Sequence, residues 1–100
     1  LTDTANGQRL FPNAEVILHQ DEMDHWFNDE RMAKAAERAR LRYFEAGRTQ
    51  LQPYRDADRV RIIKVGEVLP GVTAVPTPGH TPGHTAYVIS SRGEQMVIWG

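Results

Sequence analysis

The sequence predicts a mixed α/β fold of the α+β kind, with mostly antiparallel strands and one or two outer helices. Three observations carry that expectation. A short β-rich run, "AEVILH" at 14–19, stands early in the chain; a segment of helical periodicity follows from Asn28 or Asp29 to Gly47; and from Arg59 onward the chain breaks into short β-rich runs separated by tight turns. Short spacings with tight turns imply antiparallel hairpins.

Taken in order, residues 2–13 carry Asn6-Gly7 and Phe11-Pro12-Asn13, which is turn chemistry without periodicity. The run 15–19 reads as a short buried strand. Asp21 is placed to cap a short helical turn through Trp26 and Phe27, and Asn28 or Asp29 to cap a longer helix with acidic residues in its first turn. Within that helix Met32, Ala35, Ala36, Ala39, Tyr43 and Ala46 recur at helical spacing, a small-residue face that admits close approach, and Gly47 is the expected stop. Arg31, Lys34, Arg38 and Arg42, interleaved with Glu30, Glu37 and Glu45, form the opposite face, which reads as solvated rather than anion-binding. An irregular segment with Pro53 and Tyr54 leads to strands at 59–65, 67–69, 72–77, 84–90 and 94–100, punctuated by Pro70-Gly71 and Ser91-Arg92-Gly93.

Composition sets the bounds. One hundred residues with 40% hydrophobic and 25% charged content suit one globular unit. Twelve Lys and Arg against thirteen Asp and Glu leave a net charge of −1, so no global field draws nucleic acid or an anionic membrane, and neither is expected as a partner. No window reaches the roughly 20 apolar residues of a spanning helix, and the first residues lack a signal peptide's pattern, so the chain reads as soluble. The absence of cysteine removes disulfides, thiolate metal sites and cysteine nucleophiles, and leaves the compartment open. Any metal must be held by His, Asp or Glu. The chain begins without Met and ends on the apolar run "MVIWG", which suggests an internal fragment.

Four histidines are present: His19, His25, His80 and His84. Pro78 and Pro82 stiffen the backbone on either side of His80, and Gly79 removes the side chain that would block close approach, so His80 sits where a rigid loop could hold a ligand. One imidazole does not make a site, because zinc takes at least three protein ligands with supporting contacts. The stretch "QDEMDHW" ends in the Asp-His of the metal pattern His-x-His-x-Asp-His, but Gln20 and Glu22 stand where that pattern needs histidines. His25 therefore reads as a polar residue of a short helix beside Trp26, and His19 as the end of its strand. No Gly-x-Ser-x-Gly elbow, phosphate-binding glycine loop or His-Glu-x-x-His helix is found.

The stretch "GVTAVPTPGHTPGHTAYVISSRGEQMVIWG" resembles the second half of the metal-binding core of metallo-β-lactamase-fold hydrolases. There a strand leads into a Pro-Gly-His-Thr loop and a hairpin follows. "FPNAEVILHQDEMDHWF" is similar to the segment after the first metal motif in the branch of methyl parathion hydrolase-like and lactonase-like enzymes. The resemblance covers most of the chain and is weakest over 29–47. It implies part of an αββα sandwich, with residues 1–100 a single incomplete domain. It makes His80 a metal ligand and gives Thr81 and His84 a supporting or packing role, and it names no catalytic side chain. The family's His-x-His-x-Asp-His motif is expected just before Leu1, its bridging aspartate just after Gly100, and its final histidine further on.

For the complete protein the resemblance implies two divalent metal ions, zinc most often and iron or manganese as variants. Their shared hydroxide would attack a small-molecule ester, lactone, thioester or phosphotriester. Thioester hydrolysis of the glyoxalase II kind is a rival to the lactonase-like reading. Trp26, Phe27, Tyr43 and Phe44 are a candidate substrate wall, although aromatics at helical spacing more often pack a helix onto a sheet. The alternative function class is a non-catalytic, metal-free module of the same architecture. Unpaired sheet edges would also lead an isolated chain of this length to self-associate.

Overall fold

The structure is a computed structural model that describes all 100 residues. The turn residues near the N-terminus close a small hairpin of β1 (Thr2–Asp3) and β2 (Gln8–Arg9), antiparallel to one another. The side-chain oxygens of Asp3 and Asn6 accept the Ala5 and Gln8 N–H groups at 2.9 Å each, the local bonding that makes these residues turn formers.

The apolar run that follows becomes β3 (Val16–His19), and α1 (Gln20–Trp26) starts directly from it. The cap of α1 is His19, not Asp21 as expected: the His19 ring Nδ1 accepts the Asp21 N–H at 3.1 Å, which requires Nδ1 to be unprotonated. Asn28 does cap α2 (Asp29–Lys34), its side chain accepting from the Arg31 N–H at 2.8 Å. The single helix expected to reach Gly47 is broken. Ala35 and Ala36 are extended, with ψ near 146°, and the chain restarts as α3 (Glu37–Ala39), a π-helical stretch (Arg40–Glu45) and α4 (Ala46–Asp56). Gly47 lies inside α4 instead of ending it, and Pro53, expected in an irregular segment, is helical.

The physical reason is which side chains bury area. An alanine face offers little apolar surface, and burial contributes about 25 cal/mol per Å². The face that is buried carries Phe44, Leu51 and Tyr54, at 5%, 8% and 0% exposure. The basic face at Arg31, Lys34, Arg38 and Arg42 is exposed, as expected. The β1–β2 hairpin docks on α4. There the Gln50 side-chain oxygen accepts the Leu1 and Thr2 N–H groups at 2.9 and 2.8 Å, and the Tyr54 hydroxyl donates to the Leu1 carbonyl at 2.8 Å.

These helices form a crossover, because β4 (Val60–Ile63) returns parallel to β3 in the register Val16↔Val60 to His19↔Ile63. The hairpin expectation did not include this pair. Parallel partners need a long connection, and the helical stretch supplies it. The remaining strands meet the expectation: β5 (Gly66–Leu69), β6 (Val72–Pro76), β7 (Thr85–Ser91) and β8 (Glu94–Ile98) form an antiparallel sheet in sequence order. The β7–β8 turn places Arg92 and Gly93 at φ of 51° and 80°, the left-handed pair of a two-residue hairpin turn. No helix is long and apolar enough to cross a membrane.

Candidate functional site

The strands on either side of "TPGHTPGH" fix where that loop stands. Pro76 of β6 pairs with Thr85 of β7, so residues 77–84 leave the sheet and return to the same point. The neck is closed by the Thr77 N–H donating to the His84 carbonyl at 2.7 Å and by the Thr77 hydroxyl against His84 Nδ1 at 2.8 Å. Inside, the Gly79 and His84 N–H groups both donate to the Thr81 carbonyl, at 3.2 and 3.3 Å. His80 projects from this framework and is exposed. Its ring centroid lies 6.0 Å from that of His84, with the planes nearly perpendicular.

With Nδ1 engaged by Thr77, the His84 ring turns its Nε2 toward Gly100, where an added Cβ would lie 2.9 Å from that nitrogen. The β7–β8 pairing brings the end of the chain back to the loop in this way. The other side of the loop rests on α1. Gly83 is buried and has no room for a side chain, since a Cβ there would fall 2.5 Å from the Glu22 backbone nitrogen and 3.1 Å from His19 Nδ1.

Glu22 makes the polar half of this contact. Its carboxylate accepts the Gly83 N–H at 2.8 Å on one oxygen and the Trp26 indole N–H at 2.7 Å on the other. Burial pushes the carboxyl up, but those hydrogen bonds and the nearby His25 outweigh it and hold the group below its ordinary value.

The structure thus brings His80, Thr81 and His84 into one loop and adds Glu22 and Gly83, which the sequence reading did not single out. The signals were a carboxylate one helical turn before an indole and a second glycine in the loop. His25 stands apart: its ring packs 4.5 Å from Trp26 and 5.4 Å from Phe44, and its Nδ1 meets the Arg31 guanidinium at 2.8 Å. Trp26 and Phe44 pack edge to face at 4.9 Å, Phe27 lies under the Arg55 guanidinium at 4.1 Å, and Tyr43 is exposed. Most of the candidate aromatic wall is therefore helix packing. His80 has the donor chemistry of a metal ligand, but no three His, Asp or Glu groups of the chain gather into a metal-holding cluster.

No protein-family model and no curated protein matches the chain. Solved structures do, six chains in all. One is the hydrolase AbOPH of the beta lactamase superfamily, 32% identical over 90% of this chain with a TM-score of 0.77. Another is AidC, a dizinc quorum-quenching lactonase solved with a product, 20% identical over 92% of this chain with a TM-score of 0.63. The chain spans about a third of each, 32% and 33% of their lengths.

Proposed function

We propose that this chain, whose fold is that of the metallo-β-lactamase superfamily, carries part of the active site of a metal-dependent hydrolase. The observation that carries the reading is the exposed imidazole of His80 on a loop held at its neck and at its base. Metal ligands need such backing, because an imidazole on a mobile loop loses its position each time the loop moves.

In this reading His80 supplies one nitrogen donor, and the other donors come from residues beyond these. His84 keeps the neck closed through Thr77, and Gly83 anchors the base on Glu22. Bound divalent ions, zinc in the first instance with iron or manganese as variants, would supply Lewis acidity and an activated water. The solved relatives, a hydrolase and a dizinc lactonase, support the hydrolase class. Within that class we place ester and lactone substrates first, with thioesters and phosphotriesters as rivals.

The test is metal content by plasma emission on the intact protein, in parallel with hydrolysis of one lactone, one aryl ester, one thioester and one phosphotriester. About two ions per protein and turnover of at least one substrate are expected, with both falling in His80→Ala. Intact protein that binds no metal and turns over none of the four would sink the reading. It would favour the metal-free, self-associating module, for which the exposed strand β8 speaks.

A further inference from the structure

We propose that Glu22 is a positioning residue for His80, its carboxylate pinning the base of the Pro-Gly-His-Thr loop to the first turn of α1. This rests on the reading of His80 as a metal donor and adds the residue that aims it. The argument begins with what the carboxylate touches. Its two oxygens accept from two donors, the Gly83 N–H on one and the Trp26 indole N–H on the other. Such charge-assisted bonds are about twice as strong as neutral ones. With both oxygens engaged, Glu22 is neither a free base nor a free ligand, and what it does it does through its donors.

One of those donors belongs to the loop: Gly83 precedes His84, whose backbone and ring close the neck on Thr77. Between the neck at Thr77 and the base at Gly83, Pro78 and Pro82 fix their own φ on either side of His80. The Gly79 N–H is held by the Thr81 carbonyl at 3.2 Å, so the orientation of residue 81 passes back to the residue beside His80. The other donor serves the carboxylate itself: the Trp26 indole, one turn along α1 and packed on Phe44, fixes its plane. An acid serving only the helix would need none of the long-range bonds, and the helix end already has its cap in His19.

The experiment is solution NMR on the intact protein, wild type against Glu22→Ala and Glu22→Gln. It reads amide exchange at Gly83, the line width of the His80 ring protons, and the His80 response to free Zn²⁺. Glu22→Ala should speed Gly83 exchange about 10-fold or more, as loss of a charged hydrogen bond implies. It should sharpen the His80 ring signals as the loop frees, leave exchange at Ala74 and Tyr87 unchanged, and weaken Zn²⁺ binding by about 10-fold to 100-fold. Glu22→Gln keeps one acceptor oxygen and should fall between the two; it also serves where the alanine variant loses its fold.

Unchanged Gly83 exchange and His80 line width in both variants would overturn the positioning role. So would Zn²⁺ binding at His80 that is equally tight with and without Glu22. If Zn²⁺ moves no His80 signal in the wild type while the Gly83 and His80 changes appear, the loop is pinned as argued and the donor reading of His80 is what fails.

Discussion

Glu22 titrates under opposing influences. Desolvation raises its pKa, and hydrogen bonds from Thr81, Trp26 and Gly83 with the His25 interaction lower it by more. The folded carboxyl therefore ionises below the 4.5 of the free group. A depressed acid contributes stability that is fully present above the unfolded value and fades as pH falls through the folded one. Thermal unfolding followed between about pH 3 and pH 6 should show a midpoint that drops on acidification below 4.5, and Glu22→Gln should flatten that drop. An equal drop in both proteins would place the acid sensitivity elsewhere. The role of Glu22 was not legible in the sequence because the partners that define it lie 61 residues away in the case of Gly83. Read locally, Glu22 is a missing histidine in a metal pattern. His80 stands out as a candidate donor in the sequence because its neighbours Pro78, Gly79 and Pro82 are local signals.

Among the elements, α4 organises the N-terminal half. Tyr54 has no exposed surface, and its hydroxyl donates to the Leu1 carbonyl at 2.8 Å while accepting the Phe11 N–H at 3.1 Å. Tyr54→Phe keeps the ring and strands both backbone groups, so urea unfolding should show a loss of about 1–3 kcal/mol. A change below about 0.5 kcal/mol would mean water replaces the hydroxyl, as at an ordinary surface site. The helical block was half legible. Asn28 as a cap follows from side-chain chemistry next to the chain it caps. The break at Ala35 and Ala36 and the continuation through Pro53 follow from the burial of Phe44, Leu51 and Tyr54, which local propensity does not contain. The strands from 60 onward were legible because β-rich runs and turn residues are local signals. The parallel pairing of β3 with β4 was not, since a chain does not announce its partner across a crossover.

For the whole molecule the radius of gyration is 15.0 Å, larger than the roughly 13 Å of a compact chain of 100 residues, and nine residues are buried. Much apolar surface is therefore open, above all along β8, where Met96, Val97 and Ile98 are 62%, 51% and 49% exposed and Trp99 beyond them 71%. The outer edge of β8 has no neighbour, and Glu94 is its single charge, so little discourages pairing with a second copy. Light scattering of the isolated chain should give a mass that rises with concentration, and Val97→Lys should hold it near 11.3 kDa. A constant 11.3 kDa for the wild type would remove the self-association reading. The mixed α/β fold class was legible in the order of its helical and β-rich runs, whereas the openness of its faces is a property of the assembled shape. One consequence of the Glu22–Gly83 contact lies in the order of assembly. The sheet β5–β8 joins neighbours in sequence and closes short loops, while the β3–β4 pair must wait for the helices between them. These two units meet where Gly83 seats on α1 and where the Arg61 guanidinium donates to the Val68 carbonyl at 2.8 Å. The neck of the loop that carries His80 thus closes within its own sheet, while its base is fixed only where the two units join and is released first when they part.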